Sequence, residues 1–183
     1  MKFLLINQDT ERLQFRKLEN SDFEIWKDLF KDDNTTKLLG MDEFKTPEER
    51  CAKWFEWTFY RYENNLGGQN ILVSKEHDKI IGQSGLLVRE IDNSFELEIA
   101  YSILPQYRMQ GFAYEAAKKC KDFAFENNFH DRLVSIIFSE NENSKKVALK
   151  NGMQLGRKVI FNHKEMELFQ INQEEWKISK SFT

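Results

Sequence analysis

The 183-residue chain is short of the residues that punctuate or cross-link a fold, with two prolines, two cysteines and eight glycines. So few prolines, and no Gly/Ser-rich tract, leave nothing to mark a linker between domains, and one domain over residues 1–183 is expected. Cys51 and Cys120 are too few and too far apart for a disulfide framework. Neither has a CxxC partner, so both are read as packing residues. The three histidines, His77, His130 and His163, are isolated in turns or at strand ends without ligand spacing, and no metal site is assigned. No apolar run is long enough to cross a bilayer, and Met1–Ile6 is too short for the apolar part of a signal peptide. The cytoplasm is the expected location. A net charge of −3 argues against a nucleic-acid binder that works by neutralising phosphates. What the chain has in quantity is bulk: 16 Phe and 4 Trp within 40% hydrophobic residues suffice for one sizeable core.

Periodicity divides the chain into a mixed set of elements. Leu13–Phe15 alternates as a short strand. Asn20-Ser21-Asp22 offers a cap to a helix carrying Phe23, Trp26, Leu29 and Phe30. Residues 31–46 are polar and read as irregular. Thr46-Pro47-Glu48-Glu49 is a helix start with a capping residue, a proline at the first position and a glutamate at the third. That helix fades at Asn64-Asn65, and Gly67-Gly68 reads as a break. Strands are expected over 70–75, 79–90, 95–103 and 132–138, with helices over 112–127 and 142–150. A hairpin over 153–160 and 164–171 turns at Asn162-His163. The helix between 95–103 and 132–138 makes those two strands a parallel, right-handed step. The fold class expected is therefore α/β (α+β), with a mixed sheet that is antiparallel early, parallel once and antiparallel again.

The turn Arg108-Met109-Gln110-Gly111-Phe112-Ala113 lies between a strand stopped by Pro105 and the start of the longest small-residue helix. Unpaired amides at a helix start, reinforced by the helix dipole, make a seat for an anion. Gly111 admits a phosphate without a side-chain clash, Ala113 keeps the first turn uncluttered, and Arg108 supplies a charge-assisted contact. The same residues equally suit a plain tight connection. No Gly-Lys-Ser/Thr follows Gly111, and no second glycine precedes it at dinucleotide spacing, which excludes both of those phosphate motifs.

Residues 108–113 resemble the R/Q-x-x-G-x-G/A acetyl-CoA signature of the GNAT acetyltransferase superfamily. The resemblance extends to Thr10–Leu13, Ile81-Gly82 with Gly85-Leu86, Glu96–Tyr101, Pro105–Arg108, Asn141–Ser144 and Val147–Met153. In order, these are similar to the branch of ribosomal-protein N-terminal acetyltransferases. The resemblance implies a sheet of about six to seven strands with a central splayed parallel pair and about four helices. It implies acetyl-CoA as co-substrate, its pantetheine arm lying against the backbone of Ile99 to Ile103, Tyr101 included. Met109, Gln110, Gly111, Phe112, Ala113 and Tyr114 would surround the phosphates, with Lys146 in reach. Asn141 matches the asparagine near the pantetheine, although a helix cap is an equal reading of it. Ala100, Met109 and Tyr114 depart from the commoner residues of the family.

An amine is mostly protonated at neutral pH, with a pKa of about 8 for an α-amine and about 10.4 for lysine, so a base is useful. Alternation along 95–103 puts Glu96, Glu98, Ala100 and Ser102 on one face. Phe95, Leu97, Ile99, Tyr101 and Ile103 lie on the other, which should take the helix. By the resemblance Glu98 is the base, and Glu96 is second choice if a bulge shifts the facing. Ala148 stands where many members carry the tyrosine acid, so the resemblance moves that role to Ser144. The function expected is acetyl transfer to a primary amine, on a peptide N-terminus or a small molecule, by a monomer or homodimer. The alternative is a catalytically idle acyl-CoA binder acting as a sensor or structural partner.

Overall fold

A computed structural model describes residues 2–181, so Met1, Phe182 and Thr183 of the expected domain lie outside the described residues. Seven strands form one sheet in the order β1-β2-β3-β4-β5-β7-β6. They are β1 (Leu13–Arg16), β2 (Gly67–Ser74), β3 (Ile80–Ile91), β4 (Ser94–Ile103), β5 (Arg132–Phe138), β6 (Gln154–Phe161) and β7 (Lys164–Asn172). Every adjacent pair is antiparallel except β4 and β5. Six α-helices accompany them: α1 (Phe23–Lys27), α2 (Asp33–Leu38), α3 (Pro47–Glu63), α4 (Phe112–Glu126), α5 (Glu142–Lys150) and α6 (Gln173–Lys180).

The long elements follow their sequence signals. In α3, Thr46 Oγ1 accepts from the Glu49 amide while Glu49 accepts from the Thr46 amide, a reciprocal capping box. Both tight hairpins turn on residues with positive φ, Asp92 and Asn93 between β3 and β4, and Asn162 and His163 between β6 and β7. Two such residues in succession give the turn whose twist matches the flanking strands.

Three features differ from the sequence expectation. Within the polar stretch 31–46, α2 forms because Asp32 accepts from the Thr35 amide, and Thr35 and Thr36 are buried. At the C-terminal end α6 follows β7 directly. Asn172 and Glu175 make its capping box, and Trp176 stacks on Phe125 and donates to Asp122. Gly67-Gly68 opens β2 instead of breaking the chain. A Cβ on Gly67 would stand 2.0 Å from the Leu86 carbonyl oxygen, and one on Gly68 would stand 2.6 Å from the Tyr62 ring. The pair of glycines therefore marks a close approach between β2, β3 and α3.

The sheet carries a core on each face. On one, Leu97, Ile99 and Ile103 of β4 pack with Ala116, Ala117, Cys120 and Ala124 of α4. The small residues let the helix lie close to the strands. On the other face Trp26, Leu29, Phe30, Phe55 and Ile71 form a second cluster beneath α1 and α3. Each fully buried large side chain contributes roughly 1.5–3 kcal/mol to the folded state. The alternation read along β4 holds from Glu96 to Ile103, because its register against β3 runs without a shift from Ile91–Ser94 to Gly82–Ile103. Phe95, expected on the helix face, is instead exposed beside the β3–β4 turn, beyond the reach of the core.

Candidate active site

The turn between β4 and α4 has an unusual start for this chain. Met109 and Gly111 both have positive φ, at 60° and 85°, and Gly111 is the residue that precedes the first helical one. No side chain caps α4, whereas Asp32, Thr46, Asn141 and Asn172 cap α2, α3, α5 and α6. The Glu115 amide donates to the Gly111 carbonyl at 3.1 Å, which leaves the amides of Phe112, Ala113 and Tyr114 without a helical acceptor. Aligned with the positive end of the helix dipole, these three amides suit an anion.

The side chains around the turn hold its shape. Arg12 stacks over the Phe112 ring at 4.3 Å, donates to the Gln110 carbonyl at 3.0 Å and pairs with Glu115 at 2.6 Å. Burial disfavours the charged Glu115 carboxylate, but hydrogen bonds from Thr10 and Arg12 outweigh it and hold its pKa below the usual range. Gln110 donates from its own side chain to the Gln106 carbonyl. The Arg108 guanidinium is engaged away from the amides of the turn's far end. It donates to the Ile103 carbonyl at 3.0 Å and to Thr35 Oγ1 at 2.8 Å, and it lies 3.6 Å from Asp32. Met109 is exposed, Ala113 packs against the core, and Tyr114 lies beneath the Lys150 ammonium at 4.4 Å. Lys146 is exposed on α5.

Beside the turn the sheet opens. β4 and β5 pair only at Leu97–Leu133 and Glu98–Val134 and then separate. The Leu104 amide donates to the Ile81 carbonyl, so the even-numbered residues of β4 turn their backbone groups to β3 and the odd-numbered ones face the gap. Two of the gap-facing carbonyls are occupied, that of Ile99 by Ser135 Oγ at 2.8 Å and that of Ile103 by Arg108. The amide and carbonyl of Tyr101 face the gap with no described partner.

The gap opens into a cavity of about 810 Å³ between the sheet, α3 and the β6–β7 hairpin. Glu98, Ala100 and Ser102 line it from β4, Trp54, Trp57 and Arg61 from α3, and Asn141 and Ser144 from the start of α5. The Glu98 carboxylate is almost fully buried and accepts from Arg89 Nε at 2.6 Å. Glu96 is buried as well, but it pairs with Arg132 and does not line the cavity.

Across the gap from Glu98, Asn141 Oδ1 accepts from the Ser144 amide at 3.1 Å, so the asparagine is the helix cap and also faces the cavity. The Tyr101 hydroxyl donates to the Ser144 carbonyl at 2.9 Å, and burial pushes its pKa up. Ala148 is buried in the core beneath α4 and α5. Arg12, Arg61, Arg89 and Ser135 were not singled out in the sequence for roles at this site. Arg12 alone had a local signal, its place in the Thr10–Leu13 segment. The other three reach the site through strand register and helix packing.

A model of the "Acetyltransferase (GNAT) domain" matches residues 12–154, and the chain belongs to that family. It is therefore an acetyltransferase, and more particularly an N-acetyltransferase. Its relatives include YkkB of Bacillus subtilis (strain 168), 28% identical over 153 residues that cover 82% of this chain and 86% of that protein. Among solved structures it is similar to an acetyltransferase from Agrobacterium tumefaciens str. C58. The TM-score is 0.76 at 22% identity, covering 94% of this chain and 97% of the other. It is also similar to RimL, a ribosomal L7/L12 alpha-N-protein acetyltransferase solved with coenzyme A. There the TM-score is 0.73 at 14% identity, covering 91% and 97%.

Proposed function

We propose that the chain, acting as a single domain, transfers the acetyl group of acetyl-CoA to a primary amine by direct attack on the thioester. The observation that carries this reading is the gap after Glu98–Val134, where the Tyr101 amide and carbonyl face the cavity beside an uncapped helix start. An extended arm fits between β4 and β5 as an added strand, bonding Tyr101 and passing the backbone of Ile103. Its phosphates fit the amides of Phe112, Ala113 and Tyr114 around Gly111, with Met109 and Gln110 shaping the turn. Arg108 contributes by holding that turn to Ile103 and α2, and Lys146 adds charge from α5. Asn141 fixes the start of α5 against the arm.

In this reading Glu98 accepts a proton from the incoming ammonium, directly or through water, and the neutral nitrogen attacks the carbonyl carbon. The Tyr101 amide is the donor placed for the oxygen that becomes negative. The C–N bond forms and the C–S bond breaks. Ser144 passes its hydroxyl proton to the departing thiolate and takes up the second proton released by the nitrogen, directly or through water. A non-catalytic acyl-CoA binder is the second reading. It draws on the Arg89 hydrogen bond, which already occupies one oxygen of Glu98.

Thiol release from acetyl-CoA over a panel of peptide and small amines tests the proposal. Amine-dependent release supports transfer. Coenzyme A binding by calorimetry with no release from any amine favours the idle binder.

A further inference from the structure

The charged side chains lining the cavity, Asp42, Glu43 and Glu98 against Arg61, Arg89 and Lys164, are equal in number but unevenly placed, with Asp42 and Glu43 exposed and Glu98 alone buried. On its floor Arg89 pairs with Glu98. At its mouth Lys164 pairs with Asp42 at 2.7 Å. Arg61 is left over. Its Nη1 donates to the carbonyls of Leu66 and Val88 at 3.2 and 3.1 Å. Its Nε and Nη2 make no hydrogen bond or ion pair with any described residue, although Arg61 lines the cavity. Burial, and then the neighbouring Arg89 charge, push the Arg61 guanidinium down to about 10, with Glu98 opposing. It stays charged at neutral pH. The inner end of the cavity thus holds two guanidinium groups against one carboxylate.

An uncompensated charge in a partly desolvated pocket is costly unless something of opposite sign joins it. We infer that Arg61 and Arg89 seat a carboxylate carried by the acceptor, so that the preferred acceptors are primary amines with a carboxylate a few bonds from the nitrogen, as in an amino acid. The inference rests on the acetyl-transfer reading above and names its substrate class. The spacing supports it. Arg89 Nε lies 2.6 Å from Glu98 Oε2, so a nitrogen delivering its proton to Glu98 stands within a few ångströms of Arg89. Amine and carboxylate of one amino acid are separated by a similar distance. A planar guanidinium also matches a carboxylate in two parallel hydrogen bonds. A polyamine offers only further positive charge to Arg61 and Arg89, and a peptide N-terminus replaces the carboxylate with a neutral amide.

The test is a set of matched acceptors, each an amino acid, its carboxamide and its decarboxylated amine, with spermidine alongside. Thiol release from acetyl-CoA is measured on the wild type, Arg61→Gln and Arg89→Gln. The wild type is expected to favour the free carboxylate in kcat/KM by at least about tenfold, since a site built to bond a group discriminates against analogues lacking it. Either variant should bring the ratio close to one while coenzyme A still binds. Coenzyme A affinity by calorimetry is the check on folding, and Arg89→Gln stands in if Arg61→Gln fails that check. Equal or better turnover of the amide, the decarboxylated amine or spermidine overturns the inference and leaves acetyl transfer standing. So does a carboxylate preference that survives in both variants. No release with any amine overturns both.

Discussion

Ser135 Oγ donates to the Ile99 carbonyl at 2.8 Å, across the gap where β4 and β5 have stopped pairing. A side chain thus takes over from the backbone ladder at the point where the strands part. Ser135→Ala leaves a buried carbonyl without its donor, and a loss of about 1–3 kcal/mol of stability is expected. Urea melts would measure it. A variant as stable as the wild type would mean that Ile99 finds water or another donor.

Gly111 has φ of 85° and stands beside Arg12 Nη2. Gly111→Glu puts a carboxylate where phosphates are proposed to sit and should abolish coenzyme A binding in calorimetry. Gly111→Asn, which tolerates the left-handed conformation, should fold normally and lose less affinity. Normal affinity in the glutamate variant would sink the phosphate assignment.

Glu98→Gln keeps the shape of the side chain and removes its basicity. Turnover should fall by roughly 10²–10⁴-fold, as for the loss of a general base, while the coenzyme A Kd stays within about threefold. If turnover is unchanged across pH, the base lies elsewhere.

Both thiols are buried, and burial pushes Cys51 and Cys120 up from 9.0 to about 12. Burial does the same to the Tyr62 hydroxyl, from 10.0 to about 12. A pKa raised on folding means that the folded state favours the protonated form. The resulting stability is complete below pH about 9 and is lost as the pH rises toward 12. Thermal melts from pH 7 to 10.5 should therefore show an alkaline decline that is shallower in a Cys51→Ala/Cys120→Ala variant. Equal slopes for the two proteins would contradict the sign. Neither thiol should react with a thiol reagent at pH 8 until the protein is denatured.

The parts of the fold legible in the sequence are those where local signals agree. Thr46-Pro47 with Glu49, the small-residue face of α4 and the alternation along β4 each point to one structure. Asp33–Leu38 escaped because six mostly polar residues show no period. They form a helix through the Asp32 cap and the burial of two threonines. The α6 helix carried a readable Asn172–Glu175 box, but it abuts β7 with no turn residue between them. At the site, alternation separated the Glu98 face from the core face. Nothing local marks Arg61 as a cavity cation, or ties Arg108 to Thr35, 73 residues away. Such relations exist only after α3 and α2 have packed against the sheet.

The missing cap on α4 has a thermodynamic consequence. A capping side chain contributes typically about 1 kcal/mol, and this helix folds without one. In the proposed function a bound phosphate supplies what that residue would have supplied. The melting temperature then becomes a function of coenzyme concentration. At a hundred times the Kd, the bound form gains about 2.7 kcal/mol over the empty one. The protein would outlast its unloaded copies under heat or proteolysis, and its abundance in a cell would follow the supply of acetyl donor.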